Sequence, residues 1–77
     1  MSEEQRRLLE LLDSAGNGCT ANVLVALGFE TDLVVGVVAA GLAVSETEPE
    51  LVDGHAVDVT RVRISDAGRR ALAEGTQ

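Results

Sequence analysis

The chain has no lysine, no tryptophan and no tyrosine, and cysteine, histidine, proline, phenylalanine and methionine occur once each. Without lysine there is no P-loop, no Schiff-base nucleophile and no lysine-rich tail for nucleic acid. Cys19 alone can form neither an internal disulfide nor the cysteine pairs of a structural zinc site. A single histidine, His55, removes most metal-ligand sets and most acid–base pairs. Long apolar runs are missing too: the longest uncharged apolar stretch, Leu33 to Val44, is too short to span a bilayer. The acidic start Met1-Ser2-Glu3-Glu4 does not read as a secretory leader, so a cytoplasmic location is expected.

What is present is aliphatic and acidic. Hydrophobic residues make up 45% of the 77 positions, nearly all of them Leu, Val and Ala, with Met1, Cys19, Phe29 and Ile64 as the exceptions. That is enough for one core, and the length allows one domain, residues 1–77. The formal net charge is −7, which repels phosphate at long range. Charge is unevenly placed. Residues 45–60 hold Glu46, Glu48, Glu50, Asp53 and Asp58 with no cation, whereas residues 61–70 hold Arg61, Arg63, Arg69 and Arg70 against Asp66 alone.

Ser2 and Gln5 form a capping-box pattern, with Glu3 and Glu4 at the positive end of the helix dipole. Leu8, Leu11, Leu12 and Ala15 follow at helical spacing, Leu9 widens the stripe, and Gly16-Asn17-Gly18 ends it. Thr20 is the expected N-cap of a second helix, Ala21 to Leu27, stopped by Gly28, with Phe29 anchoring the turn. Thr31 or Asp32 is expected to cap a third helix, Leu33 to Ala40, closed by Gly41. Its interior Gly36 costs about 1 kcal/mol relative to Ala. The valine-rich run would also suit a buried strand, but a cap before it and a glycine after it favour a helix.

From Leu42 the period becomes two. Val44, Glu46, Glu48 and Glu50 share a face, and Asp53-Gly54 signals a hairpin turn. A two-residue turn sets Glu46 opposite Arg61, with Glu48 diagonal to it. Pro49 confines its strand to an edge or to a loosened tip. Val57 and Val59 fall on one parity and Val62 and Ile64 on the other, which implies a bulge or loop near Thr60. Ser65 caps a short last helix, Asp66 to Glu74, with Leu72 as its main apolar contact, and Glu74-Gly75-Thr76-Gln77 is expected to fray.

Three segments carry a family resemblance: Thr20-Ala21-Asn22-Val23-Leu24 leading to Leu27-Gly28; Ala40-Gly41-Leu42 running into a strand; and Val62-Arg63-Ile64-Ser65-Asp66-Ala67-Gly68-Arg69-Arg70-Ala71-Leu72. The last combines an apolar strand end, a hydroxyl cap and a glycine that lets a helix come close. Together they resemble the winged-helix (winged helix-turn-helix) domains of MarR- and PadR-type regulators. The resemblance implies a small α+β domain of three helices, a β-hairpin wing and a short C-terminal helix. It puts the third helix in the recognition position and residues 45–61 in the wing. Two features depart from the family. Gly28 to Gly41 is about a turn shorter than in many DNA-reading members, and Leu33 to Ala40 contains no Arg, Lys, Asn, Gln or Ser. Base edges and phosphates are read by such side chains.

If Val34, Val37 and Val38 face the core, the third helix turns Asp32, Val35, Gly36, Ala39 and Ala40 outward. An apolar outer surface on helices two and three is the mark of a protein interface, for which Val23, Val35, Gly36, Ala39 and Ala40 are the candidates. A tight monomer is the plainer alternative. The expected function is a non-enzymatic interaction or regulatory module, most simply a homodimer, with no metal, cofactor, membrane or small-molecule ligand indicated. The alternative is a transcriptional regulator touching DNA through Arg61, Arg63, Arg69 and Arg70, although pairing of these arginines with Glu46, Glu48 and Asp66 on a solvated surface is the favoured account of them. Arg6 and Arg7 have Glu10 and Glu3 at helical spacing. The acidic run lacks the calcium-loop pattern, and the hairpin tip around His55 and Asp58 gives Ser65 no triad partner.

Overall fold

Local signals start and stop most of the elements, and the computed structural model, which describes residues 2–75, places them in the order α1 (Glu3–Ser14), β1 (Cys19–Thr20), α2 (Ala21–Ala26), α3 (Thr31–Ala39), β2 (Ala43–Val52), β3 (His55–Ile64) and α4 (Asp66–Gly75). Among the described residues the chain is α+β, four helices with a three-stranded antiparallel sheet in the order β1-β3-β2. Ser2 Oγ accepts from the Gln5 amide at 3.2 Å while Gln5 Oε1 accepts from the Ser2 amide at 3.0 Å, closing the capping box. Thr20 Oγ1 accepts from the Val23 amide at 3.3 Å. Replacing Thr20 by Ala should cost about 1 kcal/mol through this bond. Urea denaturation would register it, and an unchanged midpoint would mean that the hydroxyl does not set where α2 begins.

Helix α3 corrects two expectations. Its N-cap is Glu30, with no side-chain bond, and Thr31 and Asp32 lie inside the first turn. The Glu30 carbonyl already accepts from the Leu33 and Val34 amides at 3.1 and 3.2 Å, so the helix begins ahead of both proposed caps. Asp32 still helps, as an acid in the first turn. The valine run is helical, not extended.

The β2–β3 ladder is continuous from Ala43 opposite Ile64 to Val52 opposite His55, so the bulge expected near Thr60 does not exist. Parity changes for another reason. Val62 and Ile64 point inward over the helices, whereas Val57 lies beyond the body, is exposed, and points to the other face of the sheet. Out there no buried face imposes an alternation. Every residue from Val44 to Asp58 is exposed. The protrusion lengthens the molecule to 48 × 22 × 20 Å, with a radius of gyration of 13.0 Å. A compact chain of this length would have about 11.5 Å. Asp53 and Gly54 turn the hairpin with φ of 51° and 81°, the two positive values that a type I′ turn requires.

In the core, Leu8, Leu9 and Leu12 of α1 meet Leu24 of α2, Val37 of α3, Leu72 of α4, and Ala43, Val62 and Ile64 from the sheet. Strand β1 ties the N-terminal half to this sheet by pairing Cys19 with Val62 and Thr20 with Arg61. Cys19 is half-buried against the core, as is Phe29. The step into α4 is locked by one side chain: Ser65 Oγ donates to the Gly41 carbonyl at 2.6 Å and accepts from the Gly68 amide at 3.1 Å. The Ser65 amide also donates to the Leu42 carbonyl at 3.1 Å. Of the fraying tail, Glu74 is helical, and the expectation for Thr76-Gln77 lies outside the described residues. Among the described residues no helix is long and apolar enough to cross a membrane.

Candidate functional site

Helices α2 and α3 each bury one side chain fully, Leu24 and Val37. A six-residue helix can turn only a narrow stripe inward, so the neighbours of Leu24 on either side are left outside. Val23, Val25 and Leu27 are all exposed, Leu27 by 58%. On α3, Leu33, Val34 and Val38 are half-buried against the core, while Val35 is 59% exposed. Asp32, Ala39 and Ala40 are exposed as the spacing predicts. Gly36 is half-buried instead, although a Cβ built on it would meet no atom within 4 Å. The five candidate interface residues therefore lie at or near the surface of two adjoining helices.

Between α3 and the inner face of the sheet runs an open groove of about 360 Å³. Val34, Val35, Val38 and Ala39 line it from the helix and Val62 from β3, with Ser45 and Thr60 on the sheet side. Among the described residues no ionisable group lines it. It can bury apolar side chains, each worth about 1.5–3 kcal/mol when fully covered. It offers no cation to a phosphate. Helical spacing missed the groove because Ser45, Thr60 and Val62 lie six or more positions beyond α3 in sequence and join it only through the sheet. It also missed Val25, Leu27 and Leu51, the last being 80% exposed at the hairpin end.

The arginines are placed elsewhere. In β3, Val62 and Ile64 point to the core, so Arg61 and Arg63 point to the opposite, outer face. There they share a shallow depression of about 330 Å³ with Asn17, Glu46 and Glu48. Glu46 stands opposite Arg61 in the register, yet its carboxylate pairs with Arg63 one step along the face. Long side chains reach diagonal neighbours as readily as direct ones. Arg69 on α4 pairs with Asp13 of α1 at 3.3 Å and with Asp66 at 3.6 Å. Among the described residues neither Arg61 nor Arg70 has a carboxylate within 4.0 Å. Arg6 pairs with Glu10 at 3.5 Å. Two arginines thus sit on the outer sheet face, away from the α3 groove, and two on α4.

His55 and Ser65 are ten residues apart along one extended segment, about 33 Å at the rise of a strand. The Ser65 hydroxyl is taken up by the α4 cap. Glu46, Glu48 and Glu50 follow one another down the outer face of β2, and among the described residues no three acidic, His or Cys side chains cluster as a metal site. No family model, no curated protein and no solved structure matches the chain.

Proposed function

We propose that this chain is a non-enzymatic winged-helix-type protein-interaction or regulatory module that pairs with a second copy of itself through α2 and α3. The element order supports the winged-helix reading: a short strand between α1 and α2 pairs with a hairpin that follows α3, and a capped helix closes the chain. In that layout the hairpin is the wing and α3 occupies the recognition position. The observation that carries the function is the surface there, exposed Val23, Val35, Ala39 and Ala40 beside a groove without charge. Polypeptide of similar character is the natural counterpart of such a surface.

Sedimentation velocity tests the reading. The chain should sediment as a dimer at about 100 μM, and Val35→Glu should shift it to monomer, because a charge placed in an apolar contact goes unpaired. Val35 is exposed, so the substitution leaves the fold intact, and circular dichroism checks that. A wild-type monomer at every concentration would overturn the homodimer. Tight, salt-dependent binding of duplex DNA that is lost in Arg61→Ala/Arg63→Ala would replace it with the regulator reading.

A further inference from the structure

The inner face of the hairpin continues the α3 groove without a break. Strand alternation puts Ser45, Thr47, Pro49 and Leu51 of β2 on the same face as Val62, Thr60, Asp58 and Ala56 of β3. All three glutamates of β2 lie on the other face. The inner face is therefore uncharged apart from Asp58, and it ends in Leu51, the most exposed of the large apolar side chains among the described residues. This leucine cannot serve its own groove. Six steps along a continuously paired strand separate it from Ser45, about 20 Å.

We infer that each α3 groove is filled by the hairpin end of a second copy, the two hairpins lying antiparallel, inner face to inner face. This rests on the reading of the chain as a self-pairing module and specifies how the pair is made. A two-fold axis at the level of Glu48 and Val59 brings Leu51 of one copy over Ser45 and Val62 of the other, at the groove. The same axis sets Asp58 across from the other copy's Thr47–Thr60 pair, whose hydroxyls lie 3.3 Å apart and can donate to it. Both contacts are duplicated by the symmetry.

Three features select a second copy as the occupant. A molecule of net charge −7 approaches itself most easily on a surface with little acid, and of the hairpin's acids the three glutamates of β2 are sorted onto the outer face, leaving Asp58 on the inner one. The groove needs a protruding apolar group, and the chain carries one at the reach that a two-fold operation demands. The area is also adequate. A ten-residue ribbon about 33 Å long, with the outer side of α3 beside it, offers roughly 600–800 Å² per copy, against ~800 Å² in a standard interface.

The test compares Leu51→Glu with Val57→Glu by sedimentation equilibrium on the full chain. Both residues are exposed on the hairpin, one on each face, so neither change threatens folding. Leu51→Glu should raise the dimer dissociation constant at least about a hundredfold, since two buried leucines are lost. Val57→Glu should leave it within about threefold. A second measurement fixes the register: in a Cys19→Ser background, a Ser45→Cys chain mixed with a Leu51→Cys chain should oxidise to a covalent heterodimer, whereas a Ser45→Cys and Val57→Cys mixture should not. A dimer that ignores Leu51→Glu but dissociates on Val35→Glu would overturn this arrangement and leave the self-pairing module standing. A chain that never dimerises would overturn both.

Discussion

Gly68→Ala should lower the unfolding free energy by about 3 kcal/mol or more, out of a total of about 4–11 kcal/mol for a chain of this size. The reason is contact, not backbone freedom, because Gly68 lies within α4. A Cβ built there collides with the carbonyl oxygen of Leu42 and comes within 2.7 Å of Ile64 Cγ1. Neither neighbour can give way cheaply. The Leu42 carbonyl accepts from the Ser65 amide, and Ile64 is buried beside the core leucines. The methyl group would lever α4 off the sheet, uncovering Leu72 and pulling Arg69 from Asp13. Urea denaturation followed by circular dichroism measures the loss. A variant within 0.5 kcal/mol of wild type, about the scatter of neutral surface changes, would show that α4 does not depend on this approach.

Leu24→Ala should cost a similar amount, about 3–4 kcal/mol, by opening a cavity at a wholly buried position. Its consequence is more local. Helix α2 has six residues, far fewer than the ~12 at which an isolated helix becomes marginal, and Leu24 is its single buried side chain. With that anchor removed, α2 should fray while the hairpin stays formed. Amide exchange should quicken first at Leu27, which bonds the Val23 carbonyl at 3.0 Å, and at Phe29, which bonds that of Leu24 at 3.0 Å. Uniform acceleration along the chain would mean that α2 and the sheet unfold as one unit. Unchanged exchange would mean that Leu24 anchors nothing.

The parts of this fold that could be read from sequence are those written in neighbouring residues. Ser2 and Gln5, Thr20, and Asp53-Gly54 each act within three positions of themselves, and each does in the structure what its spacing implied. Ser65 and Gly68 belong to the same class, since the hydroxyl cap and the close glycine are three positions apart in the chain. Strand β1 could not be read. Two residues, Cys19 and Thr20, carry no alternation, and only pairing with Val62 and Arg61 makes them a strand. The mistaken bulge at Thr60 has a related cause. Alternation in sequence marks the faces of a ribbon but not where the body beneath it stops, and that boundary also decides the exposure of Leu51. The candidate site divides the same way. Val35 and Ala39 follow from helical spacing, whereas the sheet side of the groove requires the register.

The free side of β2 governs what copies of this chain cannot do. β2 is an edge strand ten residues long, with no neighbour beyond it among the described residues, the kind of border along which proteins template fibrils. Pro49 removes one amide from that border, and a strand added antiparallel about Glu48 would bring Glu46 of one chain against Glu50 of the next. Backbone addition to β2 in that register is thus opposed, while contact through side-chain faces is not. The two-fold pairing proposed above, made through those faces, would close on itself as a pair.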